Sequence, residues 1–288
     1  MAADVFSHTP VILEDYVTAH MFRTSRRLGR LTLACAVVLS FALVPAIASA
    51  TPSTTYWAPS VATCQAKGVP HITYDTYYGK GTPPPGAGAP AYPIDTGLTV
   101  GILPSDKIQS EVGYDVLLPS ANPIFFFLNA KLCTPEGSMF KGSPAIGGGF
   151  YNVGFKKGIT NFNIAYVDVQ KSFPFGGYFS VGVYHGMNDA LFTNSAGKIV
   201  KTGALLGWSS PDIKVGVKGL QKIDIIADAQ TGKNALGAGG FGAELYFNDY
   251  IDLIVGPVFY FDSKLQPGGA KHLWTTQLDV DIPLGKSK

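Results

Sequence analysis

Charge is what this chain has least of. Only 15% of its 288 residues are Asp, Glu, Lys or Arg, against about a quarter in an ordinary soluble domain. The 22 basic and 20 acidic side chains nearly cancel to +2, which supplies no basic face for a nucleic acid. Cysteine is scarce, with three in all. The five histidines are scattered and no paired Cys motif is present, so neither a metal nor any other cofactor is expected. Beyond residue 50 no stretch approaches the roughly 18 uncharged apolar residues of a transmembrane helix, and convincing amphipathic periods of 3.6 are missing. What is plentiful is apolar: 46% hydrophobic and 12% aromatic residues, a composition that excludes disorder. Two classes remain, an apolar soluble β protein or a protein whose outer surface faces lipid.

Residues 21–50 carry a charged stretch (Arg23, Arg26, Arg27, Arg30), an apolar run from Leu31 to Leu43 and the small-residue ending Ala48-Ser49-Ala50. That order reads as a secretory signal peptide with cleavage near Ala50. As an N-terminal anchor the run falls short of the ~20 residues a spanning helix needs. Residues 1–20 lack signal character, precede a second methionine, Met21, and are read as an upstream extension outside the fold. Residues 51–67 form a lead segment expected in the periplasm or entering a lumen, 68–284 the main domain, and 285–288 a tail.

The main domain reads as twelve segments of about ten residues that alternate apolar with polar or small, a period of two that means two-faced strands. In His272–Ile282, Trp274, Leu278, Val280 and Ile282 oppose Gln277, Asp279 and Asp281; in Pro70–Tyr78, Ile72, Tyr74 and Tyr78 oppose His71, Thr73, Asp75 and Tyr77. Segments at 107–117, 223–228, 239–247 and 251–261 alternate as clearly, and 92–102, 124–132, 144–155, 161–170, 176–185 and 201–208 less so. Connections at Ser105-Asp106, 173–176 and 248–250 are tight. Those at 79–90, 186–200 and 262–271 are long and all follow odd-numbered strands, the short-turn, long-loop asymmetry of outer-membrane barrels. Cys133–Ser143 and Ser209–Gln221 are long where a short turn is expected, and Ser120–Pro123 short where a loop is expected.

Strands of this length cross a bilayer when tilted, and strands in lipid must close into a barrel to satisfy their backbone. With the signal peptide, the low charge and glycines on the polar faces (Gly97, Gly101, Gly113, Gly182, Gly242, Gly256), these features favour a membrane barrel over a soluble secreted β protein. The segments and the final Gln277-Leu-Asp-Val-Asp-Ile282 resemble the porin-like outer-membrane β-barrel proteins of Gram-negative bacteria across nearly all of residues 68–284, in pattern and without a catalytic or binding motif. The resemblance implies residence in the outer membrane, contact with its lipid, insertion by the barrel-assembly machinery and passive passage of small solutes. One departure stands: such barrels commonly end in an aromatic residue, whereas Ile282-Pro-Leu-Gly-Lys-Ser-Lys288 follows the last strand.

A closed antiparallel barrel of about twelve strands would carry Asp75, Asp95, Glu111, Asp115, Asp224, Asp228, Glu244, Asp252, Asp279 and Asp281 on its lumen face, with Lys131 the one clear inward lysine. Carboxylate rings favour cations in a water-filled pore, so a narrow channel for small cationic or neutral solutes is one expectation. The alternatives are acids that pair with loop lysines such as Lys156, Lys157 and Lys214 or lie at the rim, and a non-conducting barrel whose loops carry structure or surface recognition. Twelve strands fall between the filled eight-stranded and open sixteen-stranded sizes, leaving an occluded lumen open.

No catalytic residue is expected. Ser180, His71 and His185 lie in strands, but there is no Gly-x-Ser-x-Gly elbow, and Gly147-Gly-Gly149 and Gly237-Ala-Gly-Gly240 lack the Gly-Lys-Ser/Thr of a phosphate loop. Cys64, before the first strand, and Cys133, after the fourth, fall on the same side, where a disulfide and two free thiols are both open.

Overall fold

The computed structural model describes residues 56–79, 94–103, 106–118 and 125–284. The expected signal peptide and its cleavage site, residues 1–20, the first five residues of the lead, the connections expected at 79–90 beyond Gly79 and at 120–123, Ser105 of the expected tight connection, and the tail 285–288 lie outside the described residues.

Twelve strands follow one another, each antiparallel to the next: β1 Pro70–Tyr78, β2 Ile94–Gly101, β3 Gln109–Leu118, β4 Phe125–Thr134, β5 Ala145–Val153, β6 Ile164–Phe173, β7 Gly177–Gly186, β8 Thr202–Ser209, β9 Lys222–Gln230, β10 Ala238–Asn248, β11 Ile251–Tyr260 and β12 His272–Asp281. β1 pairs with both β2 and β12, with His71 opposite Asp281 and Tyr78 opposite Trp274, so the sheet closes into a barrel without a free edge. The narrowest pairing joins Leu205–Ser209 of β8 to Ile226–Gln230 of β9. β4 and β5 slip register between Leu128 and Ala130. There Asn152 adopts a φ of 50°, and the Asn129 Oδ1 accepts its backbone N–H at 3.0 Å; the bulge is thereby tied to a side chain from the facing strand.

The barrel is polar inside and apolar outside, the reverse of a soluble β-barrel. Outward positions carry Ile72, Tyr74, Tyr114, Val167, Phe179, Val181, Val183, Leu206, Phe241, Phe259 and Leu278, all well exposed. Inward positions are filled by Glu111, Lys131, Asp168, Gln170, Asp224, Asp228, Gln230, Glu244 and Gln277, all buried. Outer aromatics gather toward both rims, Phe173, Phe179 and Trp208 at one end and Phe241 and Phe259 at the other, the girdle pattern of a membrane barrel. Among the described residues no helix is long and apolar enough to cross a membrane; the strands do the crossing. Had two stacked sheets sealed Leu253, Val255, Leu278 and Val280 between them, the soluble reading would stand. The closed barrel turns these side chains outward, and that reading is set aside.

At the rim where β1 begins, the connections at 174–176 and 249–250 are tight, but 135–144 and 210–221 are long there too, so the asymmetry between the two rims is partial. At the far rim, the β7–β8 connection forms a short 3₁₀ turn, Ala190–Phe192. The Ser195 backbone N–H donates to Asp262 Oδ2 at 2.9 Å, tying that connection to the one between β11 and β12 and holding the Asp262 carboxyl below its ordinary range.

The inside-out polarity makes a measurable demand. Arg at Val181 or Leu206, partners at the middle of β7 and β8, should reduce folding stability in lipid bilayers by about 2–4 kcal/mol, as expected for a charge at the hydrocarbon midplane. Equal stability of wild type and Val181→Arg in reversible unfolding from vesicles would place that face in water.

Candidate functional site: the threaded lumen

The lumen holds a segment of the chain itself. Residues 56–67 run from the far rim down to the rim where β1 starts and end in the bridge between Lys67 and Gly101. Tyr56, Ala58, Ser60, Val61, Ala62 and Gln65 are essentially without solvent access. An extended segment that joins no sheet has unpaired N–H and C=O groups, and burying them unpaired is costly, so wall side chains supply the partners. Asp228 on β9 accepts the backbone N–H groups of Tyr56 at 2.8 Å, Trp57 at 2.9 Å and Ala58 at 2.9 Å. Gln277 Nε2 donates to the Tyr56 carbonyl at 2.8 Å, Ser180 Oγ to the Ser60 carbonyl, and Lys131 Nζ to the Val61 carbonyl at 3.0 Å. Gln170 Oε1 accepts the N–H of Ala62 at 3.1 Å, and Glu111 Oε2 that of Gln65 at 2.7 Å.

Space for the lead comes from missing side chains. A Cβ at Gly147 would stand 2.9 Å from the Ala62 Cα, and one at Gly242 would stand 3.0 Å from the Tyr56 ring, which Gly240 and Gly256 also approach. At the top, Trp57 packs edge-on against Tyr77 and Tyr260, each at 5.7 Å between centroids, and its Nε1 donates to the Leu236 carbonyl at 3.0 Å. At the bottom, Cys64 and Cys133 are disulfide-bonded, with 6.1 Å between their Cα atoms. On the β5–β8 side the far mouth is filled by a core of Tyr151, Ile164, Tyr166, Tyr184, Phe192 and Leu205 around Ala58.

The acids expected in the lumen all lie on inward positions, and they fall into two sets. Asp228, Glu111 and Asp281 serve the lead, Asp281 by accepting from Gln65 Nε2 at 2.8 Å. Asp75, Asp95, Asp115, Asp224, Glu244, Asp252 and Asp279 line the wall from β9 through β12 to β3. Two basic residues besides Lys131 face them. Lys222 is a second inward lysine, which corrects the expectation of one: its Nζ sits 3.1 Å from Asp224 Oδ2, 2.8 Å from Asp212 Oδ1 and 3.9 Å above the Tyr246 ring. His71 places Nδ1 3.0 Å from Asp281 and Nε2 3.0 Å from Asp279, an arrangement that an imidazolium, with both nitrogens donating, satisfies. Lys131 also lies 3.4 Å from Glu111 Oε1. These partners sit on the wall itself, in place of the loop lysines Lys156, Lys157 and Lys214. Asp115 accepts from the Asn129 side chain.

Some residues escaped the sequence reading. Asp168 is buried with neither carboxylate oxygen hydrogen-bonded; its alternation with Tyr166 and Gln170 in β6 was signal enough to place it inward. The inward turn of Phe192 had no such signal, because it lies in a connection. Ser180 and His185 sit on opposite faces of β7: the Ser180 hydroxyl serves the lead, while His185 Nδ1 faces Thr202 Oγ1 outside at 2.8 Å.

The fold and its lumen define a transmembrane β-barrel of the outer-membrane kind, threaded by its own leading segment. Among solved structures the barrel is similar to outer membrane phospholipase A from Escherichia coli, at 8% identity and a TM-score of 0.41 over 74% of this chain and 92% of that one. It is also similar to the N-terminal β-barrel domain of OprF from Pseudomonas aeruginosa, at 13% identity and a TM-score of 0.20 over 75% and 98%. Likeness at this level carries no activity across. No protein-family model and no curated protein sequence matches the chain.

Asp228→Ala should leave three buried N–H groups without an acceptor and destabilise the barrel by about 3 kcal/mol or more, read as a lower thermal midpoint together with new protease cleavage between Tyr56 and Cys64. An unchanged midpoint would mean that the lead is not held there. Independently, Cys133→Ser opens a link spanning 69 positions and should lower stability by about 2–4 kcal/mol, with wild type alone changing its gel mobility on reduction.

Proposed function

We propose that the protein resides in a bacterial outer membrane, where the barrel-assembly machinery inserts it, and acts as a narrow, passive, cation-preferring channel for small solutes. The passage would run between the lead and the acid-rich half of the wall, β9 to β12 and β1 to β3. The observation that carries the reading is the charge imbalance of the inner face. Its aspartates and glutamates far outnumber Lys131, Lys222 and His71, and the lead from Tyr56 to Gln65 contributes no charged side chain. A packed, dry lumen would need its acids matched by bases or protonated. An acid-lined lumen open to water matches them with cations from solution, as carboxylate rings of cation pores do. The proposal is of diffusion, with no covalent step.

A second reading is a closed barrel with a structural or recognition role, favoured by the lead and by the apolar core around Phe192 at the far mouth.

Planar-bilayer recording of the purified, heat-modifiable barrel separates the two. The channel reading expects small discrete steps and a reversal potential in a KCl gradient displaced toward that of K⁺, with the displacement reduced in Asp75→Asn and Asp95→Asn. A silent bilayer with correctly folded protein would leave the closed barrel, and anion preference would overturn the acidic passage.

A further inference from the structure

The two connections that rise from the far rim over β5–β8 are tightly folded. In residues 154–163 the Lys156 carbonyl accepts the N–H groups of Ile159 at 3.1 Å and Thr160 at 2.9 Å. Thr160 Oγ1 accepts the N–H of Lys156 at 2.9 Å, and Asn161 Oδ1 that of Gly158 at 2.7 Å. The β7–β8 connection is fastened beside it: Asn188 Nδ2 donates to Asn161 Oδ1 at 2.6 Å, and the Met187 N–H to the Phe162 carbonyl at 3.2 Å. Asn194 Oδ1 accepts the Lys198 N–H at 2.8 Å and fixes that turn. The side chains displayed by this platform are therefore largely pre-placed, which lowers the cost of binding anything on it.

They are of two kinds. Phe155, Ile159, Met187 and Ile199 are apolar and exposed, Phe155 at 75%. Lys156, Lys157 and Lys198 are exposed beside them and form no ion pair among the described residues. The acids at hand are engaged elsewhere. Asp189 meets Lys201 at 2.7 Å, and Asp262, from the β11–β12 connection, accepts the Ser195 N–H.

Below the platform, on the outer wall, His185 of β7 and Thr202 of β8 stand opposite each other in register, with Nδ1 2.8 Å from Oγ1. The outward positions further down, Val183, Val181 and Leu206, are apolar and exposed. An apolar wall, then a polar pair, then lysines is the order met on leaving a bilayer, hydrocarbon first and charged headgroups above.

We infer that this sector of the far rim binds an anionic, phosphate-bearing lipid of the surrounding leaflet. The phosphate would meet Lys156, Lys157 and Lys198, and the acyl chains would lie along Val183 and Leu206. A soluble anion has no use for the exposed apolar side chains, and a neutral lipid none for three unpaired lysines; an anionic amphiphile uses both. The inference rests on the proposed membrane residence of the barrel and is independent of conduction.

Native mass spectrometry of the detergent-folded full chain, titrated with phosphatidylglycerol and with phosphatidylcholine, tests it. Phosphatidylglycerol should be retained in preference. The variant combining Lys156→Gln, Lys157→Gln and Lys198→Gln should bind it on the order of a hundredfold more weakly, about fivefold for each lysine, and Phe155→Asn should weaken it as well. Gel heat-modifiability confirms that each variant is folded. Equal retention of the two lipids, or undiminished binding by the folded triple variant, overturns the inference. So does an equal loss on changing Lys214 and Lys218 at the opposite rim to Gln, which would reduce the preference to general charge. Displacement of the lipid by inorganic phosphate, with Phe155→Asn binding as wild type does, would make the surface a soluble-anion site instead. A chain that inserts into phosphatidylcholine vesicles but shows no lipid preference loses the site and keeps its membrane residence; one that inserts into no vesicle sinks the residence and the site with it.

Discussion

A chain segment inside a closed barrel cannot borrow hydrogen bonds from the sheet, because every strand is already paired on both sides. The lead therefore depends on wall side chains for its backbone partners, and that dependence explains much of the lumen. One carboxylate, Asp228, gathers three successive N–H groups, a charge-assisted arrangement stronger than neutral bonds would be. Gln170, Glu111, Lys131, Gln277 and Ser180 serve the rest, each from a different strand. Because closure fixes the register around the whole ring, these side chains are fixed relative to one another, and the lead has a single path. The same path explains why Gly147 and Gly242 carry no side chain where a Cβ would meet Ala62 and Tyr56.

The path also divides the lumen. Toward β5–β8 the far mouth is closed by aromatic and aliphatic packing around Phe192 and Ala58, a region whose stability comes from apolar burial in the usual way. Toward β9–β11 a second apolar cluster forms where Tyr56 meets Ile226, Ala238, Ile254 and Val258, and the acids Asp224, Glu244, Asp252 and Asp279 stand on the same strands and on β12. The lead is thus held from both sides of the barrel, by packing and by side chains that partner its backbone.

The twelve strands and their faces were legible because both lipid and lumen impose a period of two, and residues such as Asp279 against Leu278 show it without ambiguity. Strand edges moved by only a few residues, as with β6, read at 161–170 and found at Ile164–Phe173. The inward acids were legible by the same alternation. The path of the lead was not. Tyr56 to Gln65 has no periodicity, and its contacts reach residues more than a hundred positions away, as with Asp228 and Gln170. Nor could alternation show Asp224 facing Glu244, since register between strands depends on closure rather than on either strand alone. The disulfide stood in the same position: two cysteines on one side of a barrel are a possibility until the register brings their Cα atoms to bonding distance.

The composition of the lead bears on why the lumen is acidic at all. A segment serving only to close an acid-lined barrel would be expected to carry Lys or Arg, since opposite charge both fills and neutralises. Between Tyr56 and Gln65 there is neither, and the first lysine, Lys67, comes where the lead leaves the lumen for β1. The lead therefore meets the wall through its backbone amides, which engage Asp228 and Glu111 as acceptors, and from Tyr56 to Gln65 it brings no positive charge to Asp75, Asp95, Glu244 or Asp252. Pinned at Asp228 above and Cys133 below, it narrows the lumen without cancelling its field. On the proposed reading of the lumen as a channel, a narrow bore and an uncancelled field would make the passage selective by charge.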